Sequence, residues 1–420
     1  MHTIIHGDCL EELKKLDDNS VDAVVTDPPY GLSNTKPAQV ADVLKAWVTG
    51  DTVSVPAKRG GFMGADWDSF VPPPAVWQEC MRVLKPGGHM AVFAGARTQD
   101  LMGLSIRLAG FEIRDTLGWV YGSGFPKSMD ISKAIDKAAG AEREVVGRAK
   151  GAQAESTGRY GAWGNDRGDG VSEYDLTAPA TSEAQRWDGW GTALKPAIEP
   201  IILARKPLDG TVANNVLAHG VGGLNIDACR VGTDDNTART CNGVGNSSSY
   251  DMAASGERRV NGGSPAGRFP ANVLLDEHAA KEMDKQSGVS TSRRAVLTST
   301  PGGIYGGGAG LPSHTGEYGH NDSGGASRFF PVFKYQAKAP KKERPVIVRE
   351  DGTKIQHPTV KPLALMEWLI TLITPEGGTI LDPFAGTGTT LQAATNKGFN
   401  PIGIEADADY IKLIEKRLGQ

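Results

Sequence analysis

The chain has 420 residues, 39% of them hydrophobic, and a formal net charge of −4. That length suits a core domain of about 250 residues with a second unit, and the slightly acidic balance excludes a protein that is basic all over. No run approaches the ~18 apolar residues of a membrane span, and no apolar signal core opens the chain. Cys9, Cys80, Cys229 and Cys241 lack a CxxC spacing, so they read as reduced thiols of a cytoplasmic protein.

The first informative element is the apolar run at residues 21–25, a predicted buried strand that ends in Asp27-Pro28-Pro29-Tyr30. An exocyclic amine on a base is a poor nucleophile because its lone pair is conjugated into the ring. Accepting hydrogen bonds from both of its protons frees that lone pair. Asp27 supplies one acceptor and the Pro28 carbonyl the other. Pro28 and Pro29 fix their own φ and carry no N–H, so no internal amide competes for that carbonyl. Tyr30 offers a flat face to an unstacked base. A Pro-rich turn with a capping Asp is the plainer alternative.

Residues 58–68 follow as a glycine-rich, basic and aromatic loop in which Arg59 suits a phosphate and Phe62 suits a base stack; packing in the core is the alternative for Phe62. Strands are predicted at 89–93, at 111–121, running into Gly122-Ser123-Gly124-Phe125-Pro126-Lys127, and at 197–204. Residues 140–190 read as an insertion between the last two. From 207 to 325 long periodic segments are few, and residues 253–344 hold 13 Lys/Arg against 8 Asp/Glu. That local excess points to a nucleic-acid face or to a solvated surface insertion.

Near the end, a strand at 380–382 runs into Phe384-Ala385-Gly386-Thr387-Gly388, a helix at 389–397 stopped by Gly398, and a strand at 401–405. This is a βαβ unit of the nucleotide-binding kind. It has no third glycine and no Lys-Ser/Thr pair, which disfavours pyrophosphate ligands. Glu405, 17 residues after Gly388, is placed to accept from ribose hydroxyls, leaving an adenosine that carries something other than phosphate. A tight strand-to-helix turn is the alternative.

Together the two motifs resemble the DNA amino-methyltransferases, which move a methyl group from S-adenosylmethionine to adenine N6 or cytosine N4. That family contains an Asp/Asn/Ser-Pro-Pro-aromatic catalytic loop and a Phe-x-Gly-x-Gly cofactor loop. With the catalytic loop first and the cofactor loop last, the chain is similar to the permuted beta class. Gly7-Asp8-Cys9, Arg82-Val83-Leu84-Lys85-Pro86-Gly87-Gly88 and His357-Pro358-Thr359-Val360-Lys361-Pro362 match in the expected order, and the resemblance covers residues 1–135, 190–210 and 329–418.

The resemblance implies an α/β, Rossmann-like methyltransferase fold with circularly permuted motif order and a mostly parallel twisted sheet. The strand at 380–382 would lie beside the one at 21–26, so cofactor and base meet where strand order reverses. The implied domains are an N-terminal catalytic part at 1–205, an irregular target-recognition region at 206–328, and a cofactor-binding part at 329–420. Asp8 and Cys9 would meet the adenine edge of the cofactor, with Phe384, Gly386 and Gly388 along its methionine end. Asp382 would accept from the methionine ammonium, and Thr359 and Lys361 would hold its carboxylate. Phe125 would cover the second face of the target base.

Transfer is expected to be direct, without a metal: no Pro-Cys pair supplies a nucleophile for cytosine C5, and no His/Cys/carboxylate cluster has metal-ligand spacing. The leading Asp favours adenine N6; cytosine N4, a silent DNA-binding relative and an RNA or protein amine methyltransferase are the alternatives. DNA is the expected partner, with a homodimer and a companion restriction endonuclease as further expectations.

Overall fold

The computed structural model describes residues 2–33, 35–56, 68–122, 124, 128–150, 173–233, 240–241, 258–259, 266–291, 295–298, 315–318, 322–333, 346–348, 354–355 and 360–419. Nine strands form one sheet: β1 (Thr3–His6), β2 (Val21–Thr26), β3 (Leu84–Phe93), β4 (Glu112–Val120), β5 (Ile198–Arg205), β6 (Val273–Asp276), β7 (Val332–Phe333), β8 (Thr379–Asp382) and β9 (Asn400–Glu405). Their spatial order is β1-β9-β8-β2-β3-β5-β4-β6-β7. All neighbours are parallel except that β5 runs antiparallel to β3 and β4.

Eleven α-helices accompany the sheet among the described residues: α1 (Cys9–Leu13), α2 (Pro37–Val48), α3 (Pro74–Val83), α4 (Gln99–Leu108), α5 (Ile131–Ala138), α6 (Val212–His219), α7 (Glu277–Ser287), α8 (Leu363–Ile373), α9 (Thr389–Asn396) and α10 (Ala408–Leu418), and a further five-residue helix at Ser182–Arg186. All six residues of β2 are buried, as a parallel strand covered on both faces requires. On one face Val21 and Val24 join Trp47 of α2, Trp77 of α3 and Met102 of α4. On the other, Ala23 and Val25 meet Leu365, Leu369 and Ile373 of α8 and Ala393 of α9. Each large apolar side chain removed from water here contributes about 1.5–3 kcal/mol, which is why the apolar run at 21–25 was legible as a strand. No described helix is long and apolar enough to cross a membrane.

The two ends of the chain build the same part of the sheet. β1 pairs with β9 through Thr3 and Ile402 to His6 and Glu405, and β8 pairs with β2 through Ile380 with Ala23 and Leu381 with Val24. The expected adjacency of the cofactor and catalytic strands is therefore present.

Two stretches read as irregular prove more ordered in their described parts. Within 140–190, residues Val145–Lys150 and Glu173–Thr177 form an antiparallel hairpin. It is tied down by Asp136, which accepts from Arg143 at 2.6 Å and from the N–H and hydroxyl of Thr181 at 3.0 and 2.8 Å. Within 206–328, β6 extends the main sheet by pairing with β4, and Cys229 packs beneath α8. The low periodicity hid β6 because the strand is only four residues long.

Candidate active site

Because β1, β2, β3, β8 and β9 are parallel, their carboxyl ends lie along one edge of the sheet. β5 runs the other way and brings its first residues to that edge, where Glu199 pairs with Trp119 near the end of β4.

The Asp27 loop leaves β2 at this edge and is held by side chains distant in sequence. Asp68, 2% exposed, accepts from the Tyr30 and Gly31 N–H groups at 2.7 and 2.9 Å. Thr98 donates to the Tyr30 carbonyl at 2.6 Å. Gly31 has φ of +67°, and a Cβ there would lie 2.7 Å from the Val71 nitrogen, so only glycine fits. Pro28 is buried in the turn.

Four polar side chains then converge. The Tyr30 hydroxyl donates to Asp27 Oδ1 at 2.7 Å. Lys361, from the residues just before α8, donates to Tyr30 Oη at 2.8 Å and to Glu199 Oε2 at 2.6 Å, and its ammonium stands 3.3 Å from Asp27 Oδ1. Burial works to lower the Lys361 pKa, but Asp27 and Glu199 outweigh it, and the net direction is up. Burial, followed by the same two carboxylates, pushes the Tyr30 hydroxyl well above its ordinary value, so it remains a donor. Lys361 is thus engaged with the Asp27 loop rather than facing the glycine turn alone.

The second turn lies one strand away. Gly386 and Gly388 adopt φ of +54° and +74°, the left-handed region that favours glycine. A Cβ on Gly388 would meet Ile414 at 2.9 Å. Glu405 Oε2 accepts from the Gly386 N–H at 2.8 Å and Oε1 from the Asp407 N–H at 2.8 Å. Each oxygen keeps a second lone pair, so the carboxylate can brace the turn and still accept from a ligand hydroxyl. Burial first of all raises the pKa of Glu405.

Asp382 is 2% exposed and accepts from Thr26 at 2.6 Å and from the Phe384 N–H at 3.1 Å. Burial, only partly opposed by these donors, pushes its pKa up to about 6. Its carboxylate ties the end of β8 to the end of β2. Phe384 lies 6.3 Å from Trp77, ring to ring. Asp8 caps α1, accepting from the Leu10 and Glu11 N–H groups at 3.0 and 3.3 Å. Burial, then the charge of Asp8, pushes the Cys9 thiol up to about 12, so it stays protonated. Arg59, Phe62, Phe125 and Thr359 lie outside the described residues.

Asp68, Thr98 and Glu199 were missed in the sequence. Asp68 and Thr98 stand 38 and 68 residues from Tyr30, and no local spacing announces them. Glu199 left one signal, an acidic residue opening an otherwise apolar strand.

A strand-end carboxylate beside a glycine turn suits methyl transfer to an amine, and comparison with known proteins agrees. The family described as DNA methylase matches residues 21–154 and 176–416, so the chain belongs to the DNA methylases that act on exocyclic amines, with S-adenosylmethionine as methyl donor. The type II methyltransferase M.HindIII of Haemophilus influenzae is 23% identical over 99% of this chain and 94% of its own length. Shorter matches include the type II methyltransferase M2.DpnII of Streptococcus pneumoniae, 49% identical over 15% of this chain and 24% of the relative. The DNA adenine methyltransferase YhdJ of Escherichia coli is 45% identical over 15% of this chain and 21% of the relative. These two matches thus span a quarter or less of the relatives' length. Among solved structures, the M1.HpyAVI–SAM complex has a TM-score of 0.39 at 16% identity, with full coverage of both chains.

The turn fits that donor. Its glycines leave positions 386 and 388 without side chains, its helix α9 begins directly behind it, and Glu405 stands at the end of the adjacent strand with acceptor capacity to spare.

Proposed function

We propose that this chain methylates the N6 amine of adenine in DNA by direct displacement on a base turned out of the duplex. The observation that carries the reading is the pairing of β2 with β8, which sets the Asp27 loop and the Gly386–Gly388 turn side by side. S-adenosylmethionine supplies an electrophilic methyl group on a sulfonium.

In this reading, Asp27 and the Pro28 carbonyl accept from the two amine protons, and Tyr30 stacks the base. Catalysis comes from positioning and from acceptors placed in advance. Turning the base out costs a few kcal/mol. Stacking on Tyr30 and phosphate contacts from residues such as Arg59 offset it, with Phe62 and Phe125 closing on the base. Glu405 holds the ribose, Asp8 and Cys9 the adenine edge, Phe384, Gly386 and Gly388 the methionine chain, Asp382 its ammonium and Thr359 its carboxylate, while Lys361, expected on that carboxylate, instead keeps its ammonium on Glu199 and Asp27.

The leading Asp of the catalytic loop and the adenine relative YhdJ support adenine over cytosine. Residues 206–328 are assigned the reading of the target sequence. The names of the type II relatives support a companion restriction endonuclease in a bacterial or phage setting and a cytoplasmic site of action. A homodimer belongs to the same reading, and light scattering that found only monomer with and without DNA would remove it.

The test is to incubate the protein with unmethylated DNA and S-adenosylmethionine, digest to nucleosides and identify the product by mass spectrometry. N6-methyladenine is the expected product. N4-methylcytosine would overturn the choice of base, and no methylated nucleoside would overturn the reaction.

A further inference from the structure

We propose that Glu199 is a positioning residue that holds the Lys361 ammonium beside Asp27, so that the trio of Asp27, Lys361 and Glu199 keeps one net negative charge, matched to a cationic methyl donor. The inference rests on the reading of Asp27 as the amine acceptor.

Glu199 is the second residue of a strand whose residues 200–205 are all buried, and its side chain, 27% exposed, is partly withdrawn from water, which favours an ion-pair partner. Its partner is Lys361, itself only 11% exposed along its side chain. The ammonium is nearer to Glu199, at 2.6 Å, than to Asp27, at 3.3 Å. It is steadied by the Phe93 ring, whose centroid lies 4.7 Å away, within the reach of a cation–π attraction, and by the Tyr30 hydroxyl, which accepts from it at 2.8 Å. The Tyr30 hydroxyl, 2.7 Å from Asp27 and 3.4 Å from Glu199, links the two carboxylates on the other side.

This arrangement has a chemical consequence. Were Lys361 paired with Asp27 alone, the pair would be neutral and the acceptor oxygen would be occupied by a full cation. Glu199 takes the larger share of the ammonium and restores the negative charge. In the transfer, the sulfur–carbon bond breaks with its electron pair left on sulfur, and the amine lone pair forms the new nitrogen–carbon bond. The positive charge moves to nitrogen, and one amine proton leaves for Asp27. A net negative trio stabilises that charge as it arrives. It also favours the sulfonium of the donor over the neutral thioether of the product.

The test compares binding of S-adenosylmethionine and S-adenosylhomocysteine, by calorimetry, to the wild-type chain and to Glu199→Gln, Lys361→Gln, the double variant and Glu199→Asp. Glu199→Gln is expected to lower the preference for the donor over the product about three- to tenfold. Lys361→Gln raises it, the double variant returns it near the wild-type value, and Glu199→Asp preserves it. The single-turnover rate of Glu199→Gln falls about tenfold or more, with that of Glu199→Asp between the two. Equal weakening of both ligands by Glu199→Gln, or an unchanged preference and rate, would overturn the proposal. So would equal weakening of both by Lys361→Gln, which would assign that lysine to the carboxylate common to the two ligands. Failure of the underlying reading shows separately, as a wild-type chain that binds neither ligand or an Asp27→Ala variant that still transfers methyl groups.

Discussion

The Asp27 loop and the Gly386–Gly388 turn lie on neighbouring strands, yet they are built by opposite means. The turn after β8 is held by near neighbours in the chain: two left-handed glycines, the carboxylate of Glu405, and Arg417, which donates to the Thr387 carbonyl at 2.7 Å. The loop after β2 is held by side chains gathered from across the chain, with Asp68, Thr98, Glu199 and Lys361 converging on Asp27 and Tyr30. Shape in the turn comes from backbone conformation, and shape in the loop from polar contacts. The first tolerates little side-chain bulk, whereas the second tolerates little loss of charge or hydrogen bonding.

Substitutions in each region sharpen that contrast. The largest effect is expected for Asp27→Ala, which should slow methyl transfer about a thousandfold while calorimetry finds donor binding largely intact; equal loss of both would erase the distinction between loop and turn. Gly386→Arg should do the reverse. With φ of +54° and a long side chain filling the turn, donor affinity should fall about a hundredfold or more, and normal binding in titration would displace the pocket from this turn.

Asp68→Ala leaves the buried N–H groups of Tyr30 and Gly31 without their acceptor, at a cost of about 1–3 kcal/mol. Its melting temperature should drop together with its activity, and an unchanged melt would free the loop from this brace.

The smallest effect is a pH dependence. The Asp382 pKa of about 6 in the folded chain exceeds the ordinary 3.8, chiefly through burial. The folded state therefore binds this proton more tightly. The stability it contributes is full below 3.8 and lost as pH rises through 6. Asp382→Asn should remove that slope, so denaturant titrations at pH 5 and pH 8 should show the variant gaining on the wild type at the higher pH by about 1–3 kcal/mol. A gain that ran the other way would mean that the native site favours the charged form.

The same contrast explains what could be read in the sequence. The turn was legible almost residue by residue because glycine spacing, helix stop and terminal acid lie in one short stretch. The Asp27 loop was legible only in its own four residues, because Asp68 and Glu199 reach it through tertiary packing. Strands β2, β4, β5, β8 and β9 announced themselves through apolar runs. β6 did not, since four residues carry too little pattern, and it joins the sheet only because β4 offers it an edge. The role of Lys361 was read from its neighbours in the chain, whereas its ammonium is held by residues 162 and 331 positions away.

The pairing of residues 3–6 with 402–405 and of 380–381 with 23–24 also governs how the molecule comes into being. During synthesis β1 and β2 emerge hundreds of residues before the strands that pair with them, so one side of each stays an open edge while the rest of the chain is made. Contacts so distant in sequence slow folding, and the Gly386–Gly388 turn cannot take its place beside the Asp27 loop until β8 has paired with β2. A chain lacking residues 379–405 would leave β1 without β9 and β2 without β8.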